Sequence, residues 1–398
     1  MISVDEAVTR ITRAFTALPA ETIHVADAAG RVLAEDGISR FDHPPAPMSA
    51  MDGYAVRAVE AKAEAELAIA GIAPAGRPFE GRLERGQTVR IFTGGVVPEG
   101  ADAVVIQEDT EAGAPGSVRI KEAARPGDNV RARGLDFKTG EVLFKRGHRI
   151  SARDVALLAA ADMAKIQVTR KPKVAIVATG DELSRPGEAR GPGGIVASST
   201  YAIQAMVRNW GGDAIDVGIL PDRAEDFAKL PQMTKDADLI VTQGGASVGD
   251  HDLVQSALAP HGFALDFWKI AMRPGKPLIF GRLKTTPLLG LPGNPVSAMV
   301  CSILFLEPAI AAMLGTEYRA PIRTARLASP LKANGKRQDY IRAKLRSSEG
   351  VLTAEPFSLQ DSSMQKIFAR ADGLIVRPVD APAVGPGDEV EVLVLNGN

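Results

Sequence analysis

Thr242-Gln243-Gly244-Gly245-Ala246-Ser247-Val248-Gly249-Asp250, Met272-Arg273-Pro274-Gly275-Lys276-Pro277 and Leu291-Pro292-Gly293-Asn294-Pro295-Val296-Ser297 are three turns within residues 241–297, and their reading decides the fold. The first and third follow short apolar runs and lead into helical patterns. Each offers bare backbone amides, and the middle one adds two cations on a proline-stiffened loop. Such turns hold phosphates or other oxyanions. Each alone is more often an ordinary strand-to-helix turn.

Outward from these turns, short apolar strands at 174–178, 214–218, 239–241 and 288–289 alternate with helical stretches at 200–209, 223–234, 252–259 and from 296 onward. Alternation of this kind predicts a parallel sheet. Ligands of open parallel sheets sit beyond the carboxyl ends of the strands. Thr179-Gly180-Asp181-Glu182-Leu183 leaves a strand at the same rim, so three loops distant in sequence can converge. Asp181, Glu182 and Asp250 place carboxylates there, and hard oxygen ligands near a phosphate suggest Mg2+. Asp250 can equally be a helix N-cap, and Asp181 and Glu182 first-turn acids on a helix dipole. Pro295 suits the first turn of its helix, which leaves the amides of 293–297 facing the rim.

The remaining chain reads as three further parts. Residues 1–52 and 132–169 form a discontinuous mixed α/β linker domain, with a helix at 4–18, a strand at 22–25 and a Ser151-capped helix whose capping partner is Asp154. Residues 53–131 are an inserted β-rich domain, with apolar runs at 67–72, 88–92 and 103–107. Residues 170–317 are the α/β domain, and 318–398 are a terminal β domain expected to be a small barrel.

Composition narrows the function classes. The 398 residues exceed one core, and a net charge of -1 provides no global field for nucleic acid or anionic membrane. The most apolar run, 296–314, reads as a buried helix, because Glu307-Pro308 interrupts it. Ser3 and Glu6 cap an N-terminal helix where a leader would otherwise stand. Cys301 is the only cysteine, which excludes an internal disulfide and a cysteine-only metal site and suits a reducing cytoplasm. Its apolar helix face marks it as a core thiol, and the five histidines are scattered with no zinc pattern.

Seven motifs in order resemble the molybdopterin molybdotransferases, the molybdenum insertases of the bacterial MoeA type, related to the gephyrin E domain. They are Pro44-Pro45-x-Pro47 before Ser49-Ala50-Met51-Asp52-Gly53-Tyr54-Ala55, then Arg90-Ile91-Phe92-Thr93-Gly94, Arg133-Gly134-x-Asp136, the Thr179–Leu183 loop and the three turns quoted first. The resemblance covers nearly the whole chain. It implies four subdomains, an elongated homodimer with a cleft shared between subunits, and conversion of adenylylated molybdopterin and molybdate into molybdenum cofactor and AMP with Mg2+.

Carried over residue by residue, the resemblance implies that Asp52, Thr93, Asp136, Glu182 and Asp250 are the functional acids and their polar partner. Arg273, Lys276 and Pro277 match the molybdate loop, whose first position is usually lysine, and Arg342 and Ser362 would complete that pocket. Gly180, Asp181, Gly244, Gly245, Ser247, Gly249, Pro292, Gly293, Asn294, Pro295 and Ser297 would hold the pterin or nucleotide phosphates, and Asp181, Glu182 and Asp250 the metal. Ser199 stands where family members commonly carry Asn. Implied partners are the adenylyltransferase that makes the substrate and cofactor-delivery proteins. The chemistry agrees: molybdate is a dianion that wants fixed cations, and with no spare thiol here the substrate's dithiolene must supply the soft ligands of molybdenum. Two rivals are an adenylyltransferase on the same α/β domain, disfavoured by the extra β domains and the Arg-Pro-Gly-Lys-Pro loop, and a non-catalytic scaffold, disfavoured by the intact acids.

Overall fold

In the computed structural model, which describes residues 1–244 and 253–395, the four strands expected in the α/β region belong to one six-stranded sheet. Its order is 213–220, 173–179, 239–243, 286–291, 279–283, 263–268. The first four strands are mutually parallel. The last two, Ile279–Leu283 and Phe263–Trp268, extend the sheet antiparallel and were not anticipated. They flank the Arg273 turn, so the glycine and proline there also punctuate the connection between these two antiparallel strands. The apolar strand Lys173–Thr179 is buried along all but its first residue, as a strand covered on both faces must be.

The chain divides into two compact units, one of Met1–Glu21, Gly30–Ala34 and Val168–Asn398, the other of Thr22–Ala29 and Glu35–Gln167. The first holds the α/β sheet and a terminal barrel. The barrel closes through five strands, Gln338–Ser348, Val351–Pro356, Ile322–Leu327, Glu389–Val394 and Gly373–Arg377, the last pairing back on the first. Closure removes the exposed edges that an open sheet would carry. Strand Met272–Arg273 adds to this sheet in parallel with Gln338 and Asp339.

The N-terminal helix is shorter than its periodicity predicts, Val4–Arg13 rather than 4–18. Phe15 and Leu18 still pack against the core because the following turn docks there, Leu18 N–H donating to Met313 O at 2.8 Å. Apolar spacing thus outlasts the helical backbone. The expected helix at 223–234 is two short helices, Ala224–Phe227 and Leu230–Met233. Pro231 has no N–H to continue a single helix and instead opens the second. The apolar run Pro295–Leu314 is long and apolar enough to cross a membrane, but 78% of that window is buried inside the protein. It runs with one π-helical turn at Ser302–Leu306, and its side chains build the core with Val174, Ile176, Ile203 and the N-terminal helix.

The second unit contains a six-stranded sheet ordered 103–106, 53–56, 87–91, 66–73, 117–120, 110–112. Two apolar clusters, one around Val56 and Val105 and one around Val89 and Ile91, pack its faces. The helix Ala152–Ala160 begins with the expected capping box of Ser151 and Asp154.

Candidate functional site

A cavity of about 780 Å³ lies at the carboxyl ends of the parallel strands. The three loops expected to converge do so: Thr179 and Glu182, Gly244, and Pro292, Gly293, Asn294, Pro295 and Ser297 line it. Gly244 sits at φ +99, where a Cβ would stand 2.5 Å from Thr179 O, so only glycine lets the two strand ends approach. The start of helix Ser198–Asn209 forms another wall with Ser198 and Ser199, and Ser363 and Gln365 reach in from the barrel side. Pro277 lines the same cavity.

Polar atoms at this cavity lack partners among the described residues. Thr179 Oγ1, Gln243 Oε1 and Asp222 Oδ1 are buried and unbonded. Gln243 spends its amide on Gly293 O at 2.8 Å, which leaves the carbonyl oxygen available. Buried groups of this kind are rare unless a ligand, ion or water completes them. Asp222 was not anticipated. It follows the strand end at Leu220-Pro221, so the rim rule reaches it, but no glycine motif marks it. Burial pushes its carboxyl pKa up, and Glu182 and then Asp181 push it further. Its backbone N–H also points at Asp181 Oδ1, 3.4 Å away.

This donor set bears on the implied Mg2+. No cluster of three or more His, Cys, Asp or Glu that could enclose a metal occurs among the described residues. Glu182 and Asp222 both line the cavity, and one or two carboxylates with waters and phosphate oxygens is what Mg2+ takes. Among the described residues, these two carboxylates match the hard oxygen donors that Mg2+ takes. Gly245, Ser247, Gly249 and Asp250 lie outside the described residues, as does the N-cap alternative for Asp250.

The anion loop differs from expectation. Arg273 is not a free cation: its Nε donates to Asp339 Oδ1 at 2.9 Å, and its Nη2 donates to the other oxygen of the same carboxylate. Asp339, with a side chain only 7% exposed, arrives by the strand pairing of Arg273 with the barrel, which nothing local in the sequence announces. Arg273 and Arg342 line a second cavity of about 280 Å³ rather than the main one. Arg342 is buried and stitches a barrel strap in place, Nε donating to Gln360 Oε1 at 2.9 Å and Nη1 to Asp361 O at 2.7 Å. Ser362 acts here through its backbone: its carbonyl accepts the Val296 N–H at 3.1 Å. That bond corrects the expectation that all amides of 293–297 face the rim. Lys276 is part-exposed, and its carbonyl accepts from Ile270 N–H at 3.0 Å. Cys301 is the core thiol expected, pressed against Gly275 and pushed to higher pKa by burial.

Within the other unit, Asp52 and Thr93 are brought together. Thr93 N–H and Oγ1–H both donate to Asp52 Oδ1, at 2.7 and 2.8 Å. These bonds, the backbone one first, hold the Asp52 pKa below the usual carboxylate value, so it is ionised at neutral pH. Asp136 sits on a separate exposed turn, anchored by its N–H to His43 O at 2.9 Å.

Comparison with known proteins covers almost all of this architecture. Residues 2–161 match the MoeA N-terminal region (domain I and II), 175–312 a probable molybdopterin binding domain, and 324–395 the MoeA C-terminal region (domain IV). The molybdopterin molybdenumtransferase of Haemophilus influenzae is 33% identical over 100% of this chain and 99% of its own length. That of Bacillus subtilis is 34% identical over 99% of this chain and 94% of its own. The crystal structure of a molybdopterin biosynthesis MoeA protein from Pyrococcus horikoshii superposes with a TM-score of 0.88 at 32% identity, covering 100% of both chains.

Proposed function

The chain belongs to the MoeA family, and we propose that it is a molybdopterin molybdenumtransferase of molybdenum cofactor biosynthesis, taking adenylylated molybdopterin and molybdate to molybdenum cofactor and AMP. The observation that carries this reading is the cavity at the strand ends, with its unsatisfied Thr179, Gln243 and Asp222 atoms beside the Glu182 carboxylate. A phosphorylated pterin is rich in the donors and acceptors that such a surface lacks.

In this proposal Glu182 and Asp222, with Asp181 beside them and Asp250, would hold Mg2+. When bound, Mg2+ offsets the charge of the adenylyl pyrophosphate during cleavage. Ser198, Ser199 and the 292–297 turn orient the phosphate end, and Ser199 takes the place of the Asn common in the family. Lys276 and Arg342 receive molybdate, and Arg273 contributes only as far as Asp339 leaves its charge free. Asp52, fixed by Thr93, uses its second carboxylate oxygen to orient a water or a substrate proton, and Asp136 assists. We further propose a homodimer working in the cytoplasm with adenylyltransferase and cofactor-delivery partners; a single cysteine suits that compartment.

The test is AMP release by the purified chain from adenylylated molybdopterin with Mg2+, with and without molybdate. Release that requires molybdate supports the reading. Adenylylation of molybdopterin from ATP without molybdate would favour the adenylyltransferase instead.

A further inference from the structure

We propose that Arg90 is a positioning residue for Asp52, holding the turn that presents its carboxylate; the functional part of this inference rests on the reading of Asp52 given above. Arg90 lies in strand Gln87–Ile91, directly opposite Tyr54 on strand Gly53–Val56. Its guanidinium carbon stands 5.0 Å from the Tyr54 ring centroid and 5.0 Å from that of Phe92. The pairing partner and the residue two positions along the chain thus clasp one cation between two aromatic faces.

So held, Arg90 donates in two fixed directions. Nη1 reaches Gly53 O at 3.1 Å, and Nη2 reaches Gln107 Oε1 at 2.6 Å. Gln107 N–H in turn donates to Asp52 O at 3.0 Å. One guanidinium therefore grips the Gly53 carbonyl directly and the Asp52 carbonyl through Gln107. The turn has no slack of its own, because a Cβ on Gly53 would sit 1.9 Å from Val105 O. The Asp52 carboxylate is then locked from the other side by Thr93. An arginine merely capping a strand would need neither two rings nor two acceptors that both lead to the same residue. Lysine could not substitute, since an ammonium neither stacks as a plane nor delivers a two-pronged fork. The Arg90 charge also favours the ionised form of Asp52, ranking after the Thr93 bonds and after the opposing effect of burial.

The experiment is a double-mutant cycle on the full chain with Arg90→Met, Asp52→Asn and both, read by molybdate-dependent AMP release and by carboxyl-carbon NMR titration of Asp52. Arg90→Met is expected to lower kcat by about tenfold with KM for the adenylylated substrate nearly unchanged. It should raise the Asp52 titration midpoint and add little loss to Asp52→Asn. Arg90→Lys should not restore kcat. Should Arg90→Met fail to fold, Gln107→Leu cuts the relay without touching the charge and should lower kcat in the same sense. Losses that simply multiply in the double variant, or an Asp52 midpoint and kcat both unmoved, overturn the proposal. The titration reads Arg90 against Asp52 in the absence of any turnover. A chain with no molybdate-dependent release in any variant would therefore sink the assigned activity and leave the positioning question still decided by NMR.

Discussion

Asp222→Asn should make the metal-free protein more stable and less able to use Mg2+. Asp222 has one buried carboxylate oxygen with no partner among the described residues, and burial, Glu182 and Asp181 raise its pKa above the ordinary 3.8. The folded chain then binds more protons than the unfolded chain between 3.8 and the folded value, so stability falls as pH rises through that window. Leaving a buried polar group unmade costs ~1–3 kcal/mol, and solvent at the rim screens the charge, so the ionised group costs about 1 kcal/mol. The amide leaves an atom unbonded but carries no charge, which removes that part alone. For a unit of this size the gain corresponds to a Tm rise of about 2–4 °C at about pH 7.5, fading to nothing near about pH 4. Thermal unfolding at the two pH values, with and without Mg2+, is the assay. Parent protein at a hundredfold excess of Mg2+ over Kd should gain about 2.7 kcal/mol, and Asp222→Asn much less, with AMP release reduced in parallel. A variant less stable than the parent at neutral pH, or a gap equal at both pH values, would refute the strained-carboxylate argument.

Three other outcomes follow from single contacts. Asp339→Asn should free Arg273 and tighten molybdate binding by roughly threefold to tenfold, measured by calorimetry; weaker binding would show that the ion pair positions Arg273 instead. Asp238→Ala removes two Arg170 bonds at 2.7 Å and the Lys173 N–H bond at 2.8 Å. It should cost about 3 kcal/mol in urea unfolding while leaving kcat of the folded protein unchanged. Gly275→Ala puts a Cβ 2.5 Å from Cys301 Sγ at φ +106, so it should destabilise by ~2–4 kcal/mol, of which Cys301→Ala recovers the steric share and not the backbone share.

How much was legible follows the range of the interactions. Strand and helix positions in the α/β region were readable because periodicity and burial are local to each segment. The Gly180, Gly244 and Pro292–Ser297 turns were readable because their backbone demands glycine or proline wherever the chain turns so tightly. The hairpin strands Phe263–Trp268 and Ile279–Leu283 were not, since their apolar runs are broken by the turn between them and their pairing is set by the neighbouring strand. The helix predicted over 4–18 went wrong at its end because the docking of Phe15 and Leu18 imitates helical spacing.

The sequence by itself determined the family, the doubly faced α/β sheet, the terminal β domain and the glycine and proline loops that line the cavity. Those are properties of local pattern and of motif order. Only the tertiary structure decided how those parts are used. It joined Asp339 to Arg273 across a strand pairing between segments 66 residues apart, and so took away a cation that the loop seemed to offer. It spent the Val296 N–H on the barrel strap, and it set an unmarked Asp222 beside Glu182 with an oxygen unbonded. Charge and hydrogen-bonding capacity belong to a residue, but whether they are available to a ligand depends on every neighbour that folding brings within about 3 Å.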